Sequence, residues 1–232
     1  MIKFSNSDRA EVLTQALPYI KRYNEKIVVV KYGGHAMTDE NLKQQVMEDI
    51  ALLWLVGIKV VLVHGGGPEI NSLMERLGHE PQFIDGCRVT DKETVDIVQM
   101  VLAGKVNKTL VNLLNKNGVK AIGLSGMDGN LLMCKKKDEK LGFVGDIVKV
   151  NPQVVHDVIE KNYIPVISTV GADTKGNIYN INGDTAAAYI AGAMKAERLI
   201  MMTDIAGILR DKNDPSAFRG RNRPSAEHQT FV

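Results

Sequence analysis

The sequence predicts an α/β protein, a three-layer αβα sandwich around a mostly parallel open sheet. Two apolar, β-branched runs carry most of that expectation: Val28–Gly34 (Val-Val-Val-Lys-Tyr-Gly-Gly) and Val61–Pro68 (Val-Leu-Val-His-Gly-Gly-Gly-Pro). Each stops abruptly at glycine and is followed by a helical pattern. Further strand-like and helix-like runs alternate along the chain at the spacing of βα units. Strands buried under helices on both faces read as unbroken apolar stretches, as these do.

The elements follow in order. Asp8-Arg-Ala-Glu11 has the form of a capping box, and Val12, Leu13, Ala16, Leu17 and Ile20 continue it at helical spacing, with a kink expected at Pro18. This helix precedes the first strand, so it packs either on a neighbouring subunit or on its own core. Ile27–Lys31 reads as a buried strand. Asp39–Val56 reads as a helix with Leu42, Val46, Ile50 and Leu53 on one face. Ile58–Val63 is a second strand and Glu69–Leu77 a helix ending at Gly78. Phe83–Thr90 predicts short strands around Gly86. Lys92–Ala103 and Lys105–Asn117 read as two helices meeting near Gly104, stopped by Asn117-Gly118. Val119–Leu124 is a strand. Leu131–Lys135 and Phe143–Val150 predict an antiparallel hairpin around a charged loop. Pro152–Lys161 is helical, Ile164–Ser168 a strand, Asp184–Met194 an alanine-rich helix and Arg198–Thr203 the last clear strand. From Asp214 to Val232 apolar periodicity disappears, which predicts a disordered tail with Arg219, Arg221 and Arg223 in solvent.

Composition narrows the function classes. The 232 residues, 44% hydrophobic, suffice for one large domain or two small lobes. A net charge of +2 makes no electrostatic case for nucleic acid, and 5% aromatic residues supply little stacking surface. The longest apolar run, Ala51–Val56, falls far short of a membrane span. Cys87 and Cys134 lack metal-ligand spacing and no His/Cys cluster argues for a bound metal. The expectation is a cytoplasmic protein with reduced thiols, without membrane or nucleic-acid partners.

Strand, glycine turn and helix N-terminus together form an anion site. Backbone N–H groups without intrahelical partners point at the ligand, and glycine allows close approach. Two such corners on one sheet predict a site that holds two anionic groups side by side, beyond the carboxyl ends of the strands. Lys31, finishing an apolar strand, either snorkels or holds an anion. Arg88 suits a carboxylate through its planar fork, or else forms a surface ion pair. Asn180, Asn182 and Asp184 alternate onto one face, although Asn182 or Asp184 equally fits a helix N-cap. His64 reads as a hydrogen-bonding core histidine rather than a base.

Taken as a set, six motifs resemble the amino-acid kinase family over about Ala10 to Asp211: Lys-Tyr-Gly-Gly, His-Gly-Gly-Gly-Pro, Gly-Cys-Arg-Val-Thr-Asp, Gly-Leu-Ser-Gly-Met-Asp-Gly, Tyr-Asn-Ile-Asn-Gly-Asp-Thr-Ala-Ala and Met-Thr-Asp-Ile-Ala-Gly-Ile. The resemblance implies ATP-dependent phosphorylation, with Mg²⁺, of the γ-carboxylate of N-acetyl-L-glutamate in arginine biosynthesis. It implies that Lys31 binds the transferring phosphoryl group and that Asp184 orients it. Gly66, Gly67, Arg88 and Asn180 would bind the acceptor, Arg88 through the α-carboxylate. Gly33 and Gly34 would lie near the phosphates, and Thr203, Asp204, Ile205, Gly207 and Ile208 would contact the nucleotide. In such a reaction the nucleophile belongs to the substrate, so the protein supplies alignment and positive charge.

The same resemblance divides the chain into an N-terminal oligomerisation helix (1–25), an acceptor-binding lobe (26–175), part of a nucleotide lobe (176–213) and an atypical tail (214–232). It implies a homo-oligomer, a dimer or a hexamer joined by the N-terminal helix, with arginine as an inhibitor. The family's pattern continues past Asp204 to a second catalytic lysine in a Gly-Gly-Met-Ile-Pro-Lys context. No such motif occurs here, and the last lysine is Lys212. This predicts a replaced C-terminal segment, and it leaves open a catalytically impaired homologue that only binds acceptor or assists assembly. Gly183 stands where the family more usually has alanine.

Overall fold

The computed structural model describes residues 5–202, which lie within one compact unit. Its first helix, α1 (Asn6–Tyr23), runs through Pro18. The capping box lies one turn earlier than expected. Ser5 is the N-cap, its hydroxyl accepting from the Asp8 N–H while the Asp8 carboxylate accepts from the Ser5 N–H. No residue of α1 is buried, and Val12, Leu13, Leu17 and Tyr19 are exposed. Tyr23, its last residue, is partly buried against the core.

The centre is a five-stranded, all-parallel sheet. Its strands are β1 (Ile27–Tyr32), β2 (Lys59–His64), β5 (Ala121–Ser125), β8 (Ile164–Ser168) and β11 (Arg198–Met201), in the order β11-β1-β2-β8-β5. Period-2 alternation sorts side chains to its two faces. Val28, Val30, Tyr32, Val60 and Leu62 join one core cluster, whereas Val29, Val61 and Val63 join the other. Lys31 shares the parity of Val29, which puts it on the second face.

The first face is covered by α2 (Glu40–Leu55), α3 (Gly67–Arg76), α4 (Lys92–Gln99) and α5 (Asn107–Lys116). The buried stripe of α2 is Lys43, Val46, Met47, Ile50, Ala51 and Trp54. Leu42, expected in that stripe, is exposed, and Leu53 is only partly buried. The expected break near Gly104 does not occur. A π-helical segment, Met100–Val106, joins α4 to α5 continuously. A π turn inserts extra residues without ending the helix.

The second face is covered by α6 (Gln153–Glu160), α7 (Gly183–Ala193) and an antiparallel hairpin of β6 (Leu132–Lys136) with β7 (Gly145–Val150). Two short strands, β9 (Val170–Ala172) and β10 (Ile178–Asn180), extend that hairpin into a four-stranded sheet ordered β10-β9-β6-β7. A small hairpin, β3 (Phe83–Ile84) with β4 (Cys87–Arg88), turns at Asp85 and Gly86, both at positive φ. The three-layer α/β architecture and its parallel sheet match the expectation. The tail 214–232 lies outside the described residues.

Candidate functional site

The two glycine corners meet. Because β1 and β2 are paired with Tyr32 opposite His64, the turns that follow them start side by side, and the Gly65 N–H donates to the Tyr32 carbonyl (3.3 Å). Lys31 reaches into this junction. Its Nζ lies 2.8 Å from Asp184 Oδ1, and a Cβ built on Gly33 would lie 2.9 Å from that Nζ. Asp184 sits in the first turn of α7, where its carboxylate is opposite the positive end of the helix dipole. Gly65 and Gly67 face open space, whereas a Cβ on Gly66 would meet Leu102 and Val106 of the π segment. Gly34, at φ +70°, starts the turn Gly34–Met37.

A cleft of ≈170 Å³ opens beside this corner, lined among others by Gly65–Gly67, Arg88, Asn180 and Gly183. Arg88 is buried to 7% exposure. Its guanidinium donates to Asn71 Oδ1 and to the Gly67 carbonyl (3.4 Å), contacts Met74 Sδ (3.4 Å), and lies over the Phe83 ring (4.8 Å to the centroid). Desolvation pushes its pKa down. Among the described residues Arg88 makes no ion pair, so the surface-pair alternative does not hold. A buried cation facing a cleft without a carboxylate is poised for an anionic ligand.

The three residues expected on one face divide their work. Asn182 caps α7, accepting from the Thr185 N–H (3.0 Å). Asp184 pairs with Lys31. Asn180 lines the cleft and donates to Thr90 Oγ1 (3.3 Å), whose hydroxyl donates to the Arg88 carbonyl (2.9 Å). Thr90, Asn71 and Phe83 were not foreseen as members of the site. Only the polar Gly-Cys-Arg-Val-Thr-Asp run hinted at Thr90, and Asn71 arrives from α3. Thr203, Asp204, Ile205, Gly207 and Ile208 lie outside the described residues.

His64 is fully buried, and desolvation holds its pKa at about 4. Nδ1–H donates to the Gly65 carbonyl (2.8 Å), and Nε2 accepts from Asn107 Nδ2 (3.1 Å). It is a neutral core histidine. Cys87 and Cys134 are free thiols.

Comparison with known proteins points the same way. The model of the amino acid kinase family matches residues 26–220. The acetylglutamate kinase of Thermosynechococcus vestitus is 54% identical over 213 residues, covering 91% of this chain and 72% of that protein. The acetylglutamate kinase of Methanocaldococcus jannaschii is 51% identical over 220 residues, covering 90% and 73%. Among solved structures, N-acetylglutamate synthase from Neisseria gonorrhoeae, complexed with coenzyme A and N-acetyl-glutamate, superposes with a TM-score of 0.76 at 25% identity, covering 88% of this chain and 47% of that one. A crystal structure from Streptococcus mutans superposes with a TM-score of 0.68 at 32% identity, covering 79% and 74%. With the family match spanning residues 26–220 and relatives at this identity covered over most of their length, this chain belongs to the amino acid kinase family.

Proposed function

We propose that this chain transfers the γ-phosphoryl group of ATP to the γ-carboxylate of N-acetyl-L-glutamate, the second step of arginine biosynthesis. The observation that carries the proposal is the Lys31 ammonium, held by Asp184 where the two glycine corners meet. Identity above 50% to acetylglutamate kinases supports the choice of acceptor.

In this function Arg88 holds the acceptor's α-carboxylate, with Asn180 beside it, and the Gly66 and Gly67 amides receive the reacting end. Gly33 and Gly34 border the phosphates. A γ-carboxylate oxygen attacks the γ-phosphorus, the bond to the β–γ bridging oxygen breaks, and ADP leaves with that electron pair. No proton moves, so no general base is required. Lys31 and the turn amides offset charge that would otherwise hold the two anions apart. Asp184 is a positioning residue, since it fixes the ammonium rather than touching substrate.

Among the described residues no group of three His, Cys, Asp or Glu side chains is placed to hold a cation. Mg²⁺ would accompany the nucleotide's phosphates, where it would neutralise charge. We assign residues 26–175 to acceptor binding, 176–213 to the start of the nucleotide lobe, and Thr203–Ile208 to nucleotide contact. The exposed apolar residues of α1 support a role for residues 1–25 in joining copies into a homo-oligomer, and arginine is the inhibitor to test. No described helix is long and apolar enough to cross a membrane.

The test is direct. The chain is incubated with ATP, Mg²⁺ and N-acetyl-L-glutamate, and the acyl phosphate is trapped with hydroxylamine. Hydroxamate formed only when all three are present supports the proposal. Preferential turnover of aspartate, glutamate, carbamate or UMP overturns it.

A further inference from the structure

The side chain of Asn107, 1% exposed, lies beneath the glycine corner and touches neither the cleft nor any group assigned above. Its amide nitrogen shares its two hydrogens among three acceptors, the carbonyls of Val166 on β8 (2.9 Å) and Leu124 on β5 (3.2 Å) and Nε2 of His64 at the end of β2 (3.1 Å). Its Oδ1 accepts from Lys108 Nζ (3.1 Å), and a Cβ on Gly123 would overlap that oxygen. One side chain thus ties three neighbouring strands together near their carboxyl ends.

The bond to His64 has a directional consequence. Asn107 donates to Nε2, so the ring's single proton sits on Nδ1, where it is given to the Gly65 carbonyl at 2.8 Å. The following peptide is trans, so its C=O and N–H point in opposite directions. With the Gly65 oxygen drawn toward the buried ring, the Gly66 N–H faces the opposite way, and Gly66 lines the cleft. The π segment contributes from the same side. Its extra residues bring Leu102 and Val106 against Gly66 and deliver Asn107 to the sheet at the first position of α5. π turns are found often at functional sites.

We infer that Asn107 is a positioning residue which, through His64, aims the Gly66 N–H at the acceptor's reacting carboxylate. The inference deepens the proposed function and rests on the acceptor site described there, but the relay itself can be read without any ligand.

In ¹⁵N-labelled wild-type protein, a scalar coupling is expected across the hydrogen bond from Asn107 Nδ2 to His64 Nε2, with the ring neutral and protonated on Nδ1. A proton on Nε2, or on both nitrogens near neutral pH, overturns the relay. Asn107→Ala should shift the Gly66 amide resonance and weaken N-acetyl-L-glutamate binding about tenfold by calorimetry, the effect of one mispositioned hydrogen bond to a charged group. Asn115 supplies the control. Its Oδ1 also joins α5 to β5, accepting from the Ala121 N–H (2.9 Å), but it lies away from the corner. Asn115→Ala should destabilise the fold comparably and leave acceptor binding unchanged. Equal losses of binding in the two variants, or none in Asn107→Ala, overturn the inference. Asn107→Asp, which can only accept from the ring, is the second variant, with the His64 proton expected to move to Nε2. If wild-type protein binds no N-acetyl-L-glutamate, the acceptor assignment falls, and the ring tautomer and Gly66 resonance still decide the relay.

Discussion

Lys31 Nζ and Asp184 Oδ1 lie 2.8 Å apart, although one residue is the penultimate residue of the first strand and the other lies in the first turn of the last described helix. Strand parity sends Lys31 to the face that α7 covers, and the first turn of α7 places the Asp184 carboxylate at that point. The pair is half open, with Asp184 at 59% side-chain exposure, so solvent screening makes its contribution to stability small. Its value is directional. Lys31→Ala should abolish acetylglutamate-dependent ADP formation, a loss of about 10²-fold or more by analogy with removal of an electrostatic donor. Acceptor binding, measured by calorimetry, should persist. Unchanged turnover removes Lys31 from the mechanism.

Asp184→Asn keeps the shape of the side chain and removes its charge. The ammonium then loses its fixed direction, and turnover should fall by about 10- to 100-fold, the range expected from misplacement of a catalytic group. KM for N-acetyl-L-glutamate should move little. A KM effect larger than the kcat effect would place Asp184 in acceptor binding instead.

Arg88→Lys tests the buried cation. Lysine keeps the charge but loses the planar fork that reaches Asn71 and Gly67 and lies over Phe83. KM for the acceptor should rise about 10- to 100-fold, in line with loss of hydrogen bonds to a charged group, with kcat changed less. Equal kinetics for the lysine variant would show that a point charge suffices.

How much of this was legible in the sequence depends on where each signal resides. The parallel strands and glycine corners were readable because an apolar β-branched run ending in glycine is a local pattern. Period 2 then places Lys31 and Val29 on one face without further information. The environment of Arg88 was not readable, since Asn71 and Met74 reach it from α3. The π segment was hidden because Gly104 looks like a helix stop, yet in the continuous helix it merely faces open space. The buried stripe of α2 was misjudged because Lys43 and Trp54 sit in it, and composition alone assigns a lysine to solvent. Strands β9 and β10 are too short to show a period, and they exist through pairing with distant partners.

His64 gives the fold a defined response to acid. Burial lowers its pKa from the ordinary 6.5 to about 4, so the unfolded chain binds a proton between those values while the folded chain does not. Stability therefore rises with pH across that window and falls on acidification, by on the order of 3 kcal/mol when complete. Urea midpoints compared between about pH 7 and pH 5 should drop for wild type and drop less for His64→Asn. Parallel slopes in the two proteins would show that His64 is not the group responsible.

Two glycines in the same corner should answer alanine in opposite ways. At Gly66 a Cβ would lie 2.6 Å from Leu102 Cδ2 and 3.3 Å from Val106 Cγ2, and Leu102 is 1% exposed. Gly66→Ala should cost about 1–3 kcal/mol from overpacking and weaken acceptor binding, because the turn amide is displaced with it. At Gly183 the nearest atoms to a Cβ are Lys31 Cε at 3.6 Å and Gly65 N at 4.0 Å, ordinary contact distances. Gly183 begins α7 without a left-handed backbone, so alanine removes unfolded-state freedom and should stabilise by about 0.4–1 kcal/mol. Thermal melts and acceptor titrations of both variants check the contrast. If Gly183→Ala impairs binding as Gly66→Ala does, then the space above Lys31 Cε is needed by a ligand, and the Lys31 ammonium is approached from the α7 side rather than from the glycine corners.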